Sequence, residues 1–238
     1  MRQIVKASLG VWLAVTGAAA LAQDAGVGTR AVVVELYTSQ GCSSCPPADE
    51  VLAVMAADPR VIPLALHVDY WDYLGWEDKF ANPRFTARQK AYAKSAGERM
   101  IYTPQMIVNG VDRIVGSRTT EIAAAVKAHA ALPQNVILLV RREGGLLLIR
   151  AEAVTPQDRA MRIDLVRYRP QEKVKIERGE NAGLTMTYTN IVTAWERLAD
   201  WRGAAPIELR VPFEGTAPAV VLVQGEGPSE IVAAAALR

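Results

Sequence analysis

Cysteine is nearly absent from this chain: Cys42 and Cys45 are the only two in 238 residues. That scarcity excludes a disulfide scaffold, which staples loops through cysteines far apart in sequence. It also excludes a thiolate zinc cage, because no second cysteine pair or Cys/His cluster supplies the remaining ligands. Internal repeats, low-complexity tracts and long charge runs are missing as well. No apolar stretch reaches the roughly 20 residues of a membrane-spanning helix. Charge of one sign is not in excess either: 27 basic residues face 25 acidic ones. Setting aside Arg2 and Lys6 removes the difference, so nothing in the charge recommends a nucleic-acid or membrane partner.

The amino-terminal segment has the layout of an export signal. Arg2 and Lys6 form a short positive region, Ala7 to Ala20 is apolar and small, and Ala20-Leu21-Ala22 is a small-x-small cleavage site. Residues 1–22 are therefore expected to be a signal peptide with Gln23 as the mature start. The expected location is periplasmic or secreted, an oxidising setting in which disulfide chemistry is possible.

The rest of the chain changes character near Leu132-Pro133-Gln134-Asn135, which divides it into residues 23–132 and 133–238. In the first part, Ala31 to Tyr37 reads as a buried strand, Ala48 to Ala57 as a helix and Val61 to Val68 as a second strand. Asn82-Pro83 is an N-cap followed by Pro at the first helical position, opening a helix that stops by Gly97. Gln105 to Asn109 and Asp112 to Gly116 form a hairpin around Asn109-Gly110, and Thr119 to Ala130 closes as a helix capped by Thr119 or Thr120. Strands separated by helices run parallel and the hairpin adds an antiparallel partner, giving a mixed sheet flanked by helices. After Pro133, short alternating strands and glycine turns predict an all-β, sandwich-like second domain. Asn190 to Trp201 is undecided between strand and helix.

The two cysteines fall at the first strand-to-helix junction as Cys42-Ser43-Ser44-Cys45. The thiolate is the reactive form in exchange, and a helix N-terminus favours it through unpaired N–H groups and the helix dipole. Two intervening residues place Cys45 about one turn along, within reach to close a disulfide and release a partner. Pro46 and Pro47 are tolerated because first-turn N–H groups have no intrahelical acceptor. Cys42 is thus the candidate exposed nucleophile and Cys45 the more buried resolving thiol. An inert surface disulfide is the competing reading, although so short a loop stabilises little.

Val32 to Pro47, together with Thr103-Pro104-Gln105-Met106-Ile107-Val108-Asn109-Gly110 and the final helix, resembles the thioredoxin fold. The resemblance implies that Pro104 is cis, that Thr103 offers backbone hydrogen bonds to a bound thiol or peptide, and that a buried carboxylate serves the resolving cysteine. Glu35, the one charged residue in an apolar strand, is the candidate for that role. Buried without a cationic partner it would have a raised pKa, although it lies one residue farther from the cysteine than usual. A structural hydrogen bond is the alternative. Tyr70, Trp71 and Trp76 follow the second strand and either line a substrate groove or pack an insertion onto the sheet. His67 is a proton donor, a metal ligand or a hydrogen-bonded structural residue.

The segments HVDYWDYLGWEDKFANPRFTARQKAY, YTPQMIVNG and ERGENAGLTMTYTNIV are similar to those of a bacterial secreted thioredoxin-like family, domain of unknown function 1223. The likeness runs from about Val32 to the C-terminus. It implies export and the two-part layout but no established substrate. No Trp precedes Cys42, and Ser-Ser replaces Gly-Pro between the cysteines, so neither potential nor partner carries over from ordinary thioredoxins.

The expected function is thiol–disulfide exchange with a protein or small-molecule thiol or disulfide, using no cofactor beyond the Cys42–Cys45 pair. Two other classes stay open. One is a Cu(I) carrier using both thiolates, with His67, Met100 or Met106 as a further ligand. The other is a binding module in which the β domain acts and the disulfide is vestigial. Oligomeric state is not readable from the sequence.

Overall fold

The structure, a computed structural model, describes residues 31–156 and 158–237. The expected signal peptide, residues 1–22, lies outside these. Strand β1 (Val32–Thr38) is buried along its whole length and leads through the cysteine loop into helix α1 (Pro46–Met55). Strand β2 (Val61–His67) then pairs parallel with β1 from Val32↔Val61 to Thr38↔His67. An aromatic insertion with a short 3-10 helix, Asp72–Leu74, precedes helix α2 (Pro83–Ser95). Asn82 caps α2 by accepting from Arg84 N at 3.0 Å, with Pro83 in the first turn as its sequence predicts. Strand β3 (Gln105–Val108) runs antiparallel to β1 and forms a hairpin with β4 (Asp112–Val115). The turn has positive φ at Asn109 (50°) and Gly110 (74°), the backbone that an Asn-Gly hairpin supplies. Helix α3 (Thr119–Ala130) completes this half, with Arg118 rather than a threonine at the N-cap position and no side-chain cap bond.

The second half holds β5 (Val136–Glu143), β6 (Leu146–Ala153), β7 (Met161–Lys175), β8 (Thr185–Trp201), β9 (Ile207–Pro212), β10 (Ala219–Gly225) and β11 (Ile231–Leu237). The undecided segment 190–201 is strand, the second half of β8. Strands β5, β6 and β9 make a small antiparallel sheet, while the other four extend the first sheet to eight strands in the order β11-β10-β7-β8-β2-β1-β3-β4. A helix-flanked mixed sheet is thus followed by a smaller antiparallel sheet region. The two sheets meet face to face over Val136, Leu138, Leu147 and Ile149 from one side and Ile163, Leu165, Val221 and Val223 from the other.

The sandwich-like packing of the second half therefore shares one layer with the thioredoxin-like half. Within the sheet the backbone pairing that joins them is short, although a shared core that includes Val33, Phe85, Val166 and Leu222 spans both halves. Strand β8 pairs parallel with β2 through Ala65↔Ile191, and Asn190, in the left-handed region at φ 50°, donates from Nδ2 to Pro63 O at 2.9 Å. In the helical half, alternation divides the sheet's faces. Val32, Val34 and Leu36 pack with Ala48 and Leu52 of α1, whereas Val33 and Tyr37 pack with Phe85 and Tyr92 of α2. That division decides which side chains can serve the cysteines.

Candidate active site

The loop from Ser39 to Cys45 is a succession of tight turns. Cys42 N donates to Ser39 O at 3.2 Å, Cys45 N to Cys42 O at 3.1 Å, and Ala48 N to Cys45 O at 2.9 Å. Cys45 occupies the N-cap position of α1, and Pro46 and Pro47 fill its first turn. The two sulfurs form a disulfide across a Cα–Cα distance of 5.4 Å. Gly41 lets the loop approach the insertion closely: a Cβ there would stand 3.1 Å from Trp71 Cβ and crowd it. The expected exposure of Cys42 does not hold: it is 2 % exposed and Cys45 0 %. Ser43 and Ser44 are the exposed residues of the motif.

Thr103-Pro104 is a cis peptide bond, as the resemblance implies. Pro104 is buried beside the first turn of α1: a Cβ on Gly116 would lie 2.9 Å from Pro104 Cβ and 2.8 Å from Ala48 Cβ. Thr103 is tied to the insertion, its Oγ1 accepting from Trp71 Nε1 at 2.7 Å. Tyr70 donates to Gln89 Oε1 at 3.3 Å and stacks obliquely on Trp71, and burial raises its hydroxyl pKa to about 12. Trp76 donates from Nε1 to Gln40 Oε1 at 2.8 Å, two residues before Cys42. All three aromatics are half-buried, and Tyr70 and Trp71 pack against the core that includes Phe85 and Tyr92.

Glu35 has the cationic partner that the sequence reading left out. Arg88 Nε reaches Oε2 at 2.7 Å and Arg88 Nη2 reaches Oε1 at 2.8 Å, while Tyr37 and Tyr92 donate at 2.9 and 2.7 Å. Arg88 lies over the Trp195 ring at 3.7 Å and also donates to Gln224 Oε1 at 3.0 Å. Burial lowers the Arg88 pKa but the Glu35 carboxylate more than offsets it, and burial followed by the carboxylate raises those of both tyrosine hydroxyls against the opposing Arg88 charge. Four donors on the α2 face tie Glu35 into a structural network, on the side of the sheet away from α1.

The α1 face carries a different carboxylate, one the sequence reading did not single out. Asp49 lies four residues after Cys45, is 4 % exposed, and accepts from Thr38 Oγ1 at 3.0 Å. Burial raises its pKa to about 7; His67 and the Thr38 bond oppose the rise, and Asp78 and Glu50 add to it. Thr38 and His67 are register partners on β1 and β2, which puts His67 on the same face. His67 Nδ1 donates to Asp78 Oδ2 at 2.6 Å, and the same oxygen accepts from Gln40 N at 2.8 Å. His67 Nε2 is buried without a partner, and the ring meets Tyr188 and Phe80 edge-on at 4.9 and 5.1 Å. Burial, with Asp49 and Asp78, raises the Tyr188 pKa.

The sequence signal for Asp49 was its place on the buried stripe with Ala48 and Leu52, where a carboxylate is out of character. Asn181 gave no signal. It is 5 % exposed and donates from Nδ2 to Gln40 O at 2.9 Å and Cys42 O at 3.0 Å, across well over a hundred residues of chain. Met106 sits in the α1-side core and Met100 is 79 % exposed. Among the described residues no group of three or more His, Cys, Asp or Glu side chains is gathered to hold a metal ion, and no helix is long and apolar enough to cross a membrane.

Comparison with known proteins agrees with this architecture. A crystal structure of a protein from Agrobacterium tumefaciens is 31 % identical, covering 91 % of this chain and 96 % of that one with a TM-score of 0.75. HBP35 of Porphyromonas gingivalis shares the fold at 13 % identity, covering 88 % of this chain and 75 % of its own with a TM-score of 0.56. No curated protein matches. Residues 33–224 match the family described as a protein of unknown function, DUF1223, and the chain belongs to that family.

Proposed function

We propose that the protein is an exported thiol–disulfide oxidoreductase, with Cys42 as the nucleophile and Cys45 as the resolving thiol. The observation that carries this reading is the Cys42–Cys45 disulfide at the mouth of α1, with buried Pro104 packed beside the same helical turn. A disulfide that closes a two-residue gap stabilises the fold little, so its value lies in its chemistry.

In the oxidised form, a partner thiolate attacks Cys42 Sγ. The S–S bond to Cys45 breaks, a mixed disulfide forms on Cys42, and Cys45 leaves as a thiolate. The partner's second thiolate then attacks its own sulfur in that bond and releases Cys42, so the partner loses two electrons and the protein gains them. In reverse, Cys42 attacks a partner disulfide and Cys45 resolves the adduct. Asp49 is the group that gives a proton to Cys45 in one direction and takes it back in the other. A carboxyl titrating near 7 is suited to both. Thr103 and Pro104 position the partner's sulfur, and Tyr70, Trp71 and Trp76 shape the loop around it.

The test is reduction of a model disulfide by the dithiol form. The wild type is expected to exceed a free dithiol under the same conditions, and Cys42→Ser to fall to background. An unchanged rate in Cys42→Ser would refute the proposal.

A further inference from the structure

Cys42 is buried, and the loop that carries it is held by a contact between the two halves of the chain. Strands β7 and β8 project beyond the sheet as a two-stranded arm. Its inner face, Val174, Ile176 and Tyr188, packs on Trp76 and Phe80 of the insertion. The tip turns back through Gly183 N to Ile176 O at 2.8 Å and Leu184 N to Asn181 O at 3.1 Å, which presents Asn181 to the cysteine loop. The amide of Asn181 then holds both carbonyls that flank Gly41, those of Gln40 and Cys42. Gly179 allows the tip to lie flat against the insertion, since at φ 77° it has no side chain and a Cβ would meet Trp76 Cβ at 3.2 Å. Trp76 in turn holds the Gln40 side chain.

We propose that Asn181 is a positioning residue that determines which partners reach the disulfide: the arm clasps the loop shut over Cys42 and selects against bulky thiols. Exchange needs the attacking sulfur in line with the bond that breaks, so access to Cys42 Sγ limits the rate. With Cys42 2 % exposed, a small thiol enters past Ser43 and Ser44, whereas a thiol on a folded protein requires the arm to lift. Lifting it breaks two hydrogen bonds from one amide and uncovers Trp76. The partner class follows: small thiols, or cysteines on flexible polypeptide.

The inference rests on the exchange reading for its biological meaning, but reduction of Cys42–Cys45 is measurable whether or not the protein catalyses exchange. The experiment compares second-order rates of reducing this disulfide with dithiothreitol and with a folded protein dithiol. It uses the wild type, Asn181→Ala and the near-isosteric Asn181→Asp, which loses the donor and keeps the shape. Both variants are expected to react about tenfold faster with the protein dithiol, equivalent to about 1.4 kcal/mol of clasp, and to change several-fold less with dithiothreitol. Gly179→Ala, which crowds the tip against Trp76 and strains its positive-φ backbone without altering the amide, is expected to give the same selective gain and serves if the Asn181 variants fail to fold. Equal acceleration with both reductants, meaning general loosening, would overturn the proposal, as would unchanged rates.

Discussion

His67 and Asp78 form a fully buried pair, Nδ1 to Oδ2 at 2.6 Å, and the carboxylate oxygen that holds the imidazole also holds Gln40 N in the loop leading to Cys42. One acceptor therefore joins the electrostatics beneath α1 to the backbone that leads to Cys42. Asp49, on the same face, feels both members of the pair. Their opposing effects leave burial as the deciding influence on its proton.

Asp49→Asn tests that proton. The folded pKa of about 7 lies above the ordinary value of 3.8, so between them the native state binds more protons than the unfolded chain. Stability from this group is therefore full below about pH 4 and is lost as pH rises through about 7. The variant, which keeps an acceptor for Thr38, is expected to be more stable than the wild type at pH 8 by up to a few kcal/mol, with the difference vanishing near pH 4. Urea unfolding at the two pH values checks this. Exchange by the variant should also lose its inflection near pH 7.

Glu35→Gln is expected to damage the fold rather than the chemistry. It leaves the Arg88 guanidinium, only 9 % exposed, without its countercharge. Breaking a buried pair in this way costs about 3 to 5 kcal/mol. Denaturant unfolding should show a loss of that size, while exchange per folded molecule stays within a fewfold of wild type. A loss of exchange by orders of magnitude with stability intact would return Glu35 to the role that its place in the strand first suggested.

Gly116→Ala probes the packing of Pro104 on α1. The added Cβ would sit 2.8 Å from Ala48 Cβ and 2.9 Å from Pro104 Cβ, so one of them must move. Overpacking of this kind costs about 1 to 3 kcal/mol. A lower Tm together with slower exchange is the expected outcome, measured by calorimetry and by model-disulfide reduction.

Local features were legible in the sequence where short-range physics decides them. The Asn82-Pro83 start of α2, the Asn109-Gly110 turn and the cysteine junction follow from capping, left-handed backbone and helix-end electrostatics. The resemblance supplied cis Pro104. What stayed hidden depends on contacts between distant segments. Nothing near Glu35 in sequence announces Arg88 beside it, and nothing near Asn181 announces Cys42. Strand β8 joins β2 through a single register pair, Ala65↔Ile191, which no periodicity encodes. A break in composition near Pro133 reads as a domain boundary even though one sheet crosses it.

The most direct test of the central claim is mass spectrometric trapping of the mixed disulfide in Cys45→Ser. With the resolving thiol gone, reduced protein exposed to a disulfide peptide should accumulate one peptide adduct on Cys42, and wild type should accumulate almost none. No adduct on Cys42, or equal accumulation in the wild type, would contradict the account.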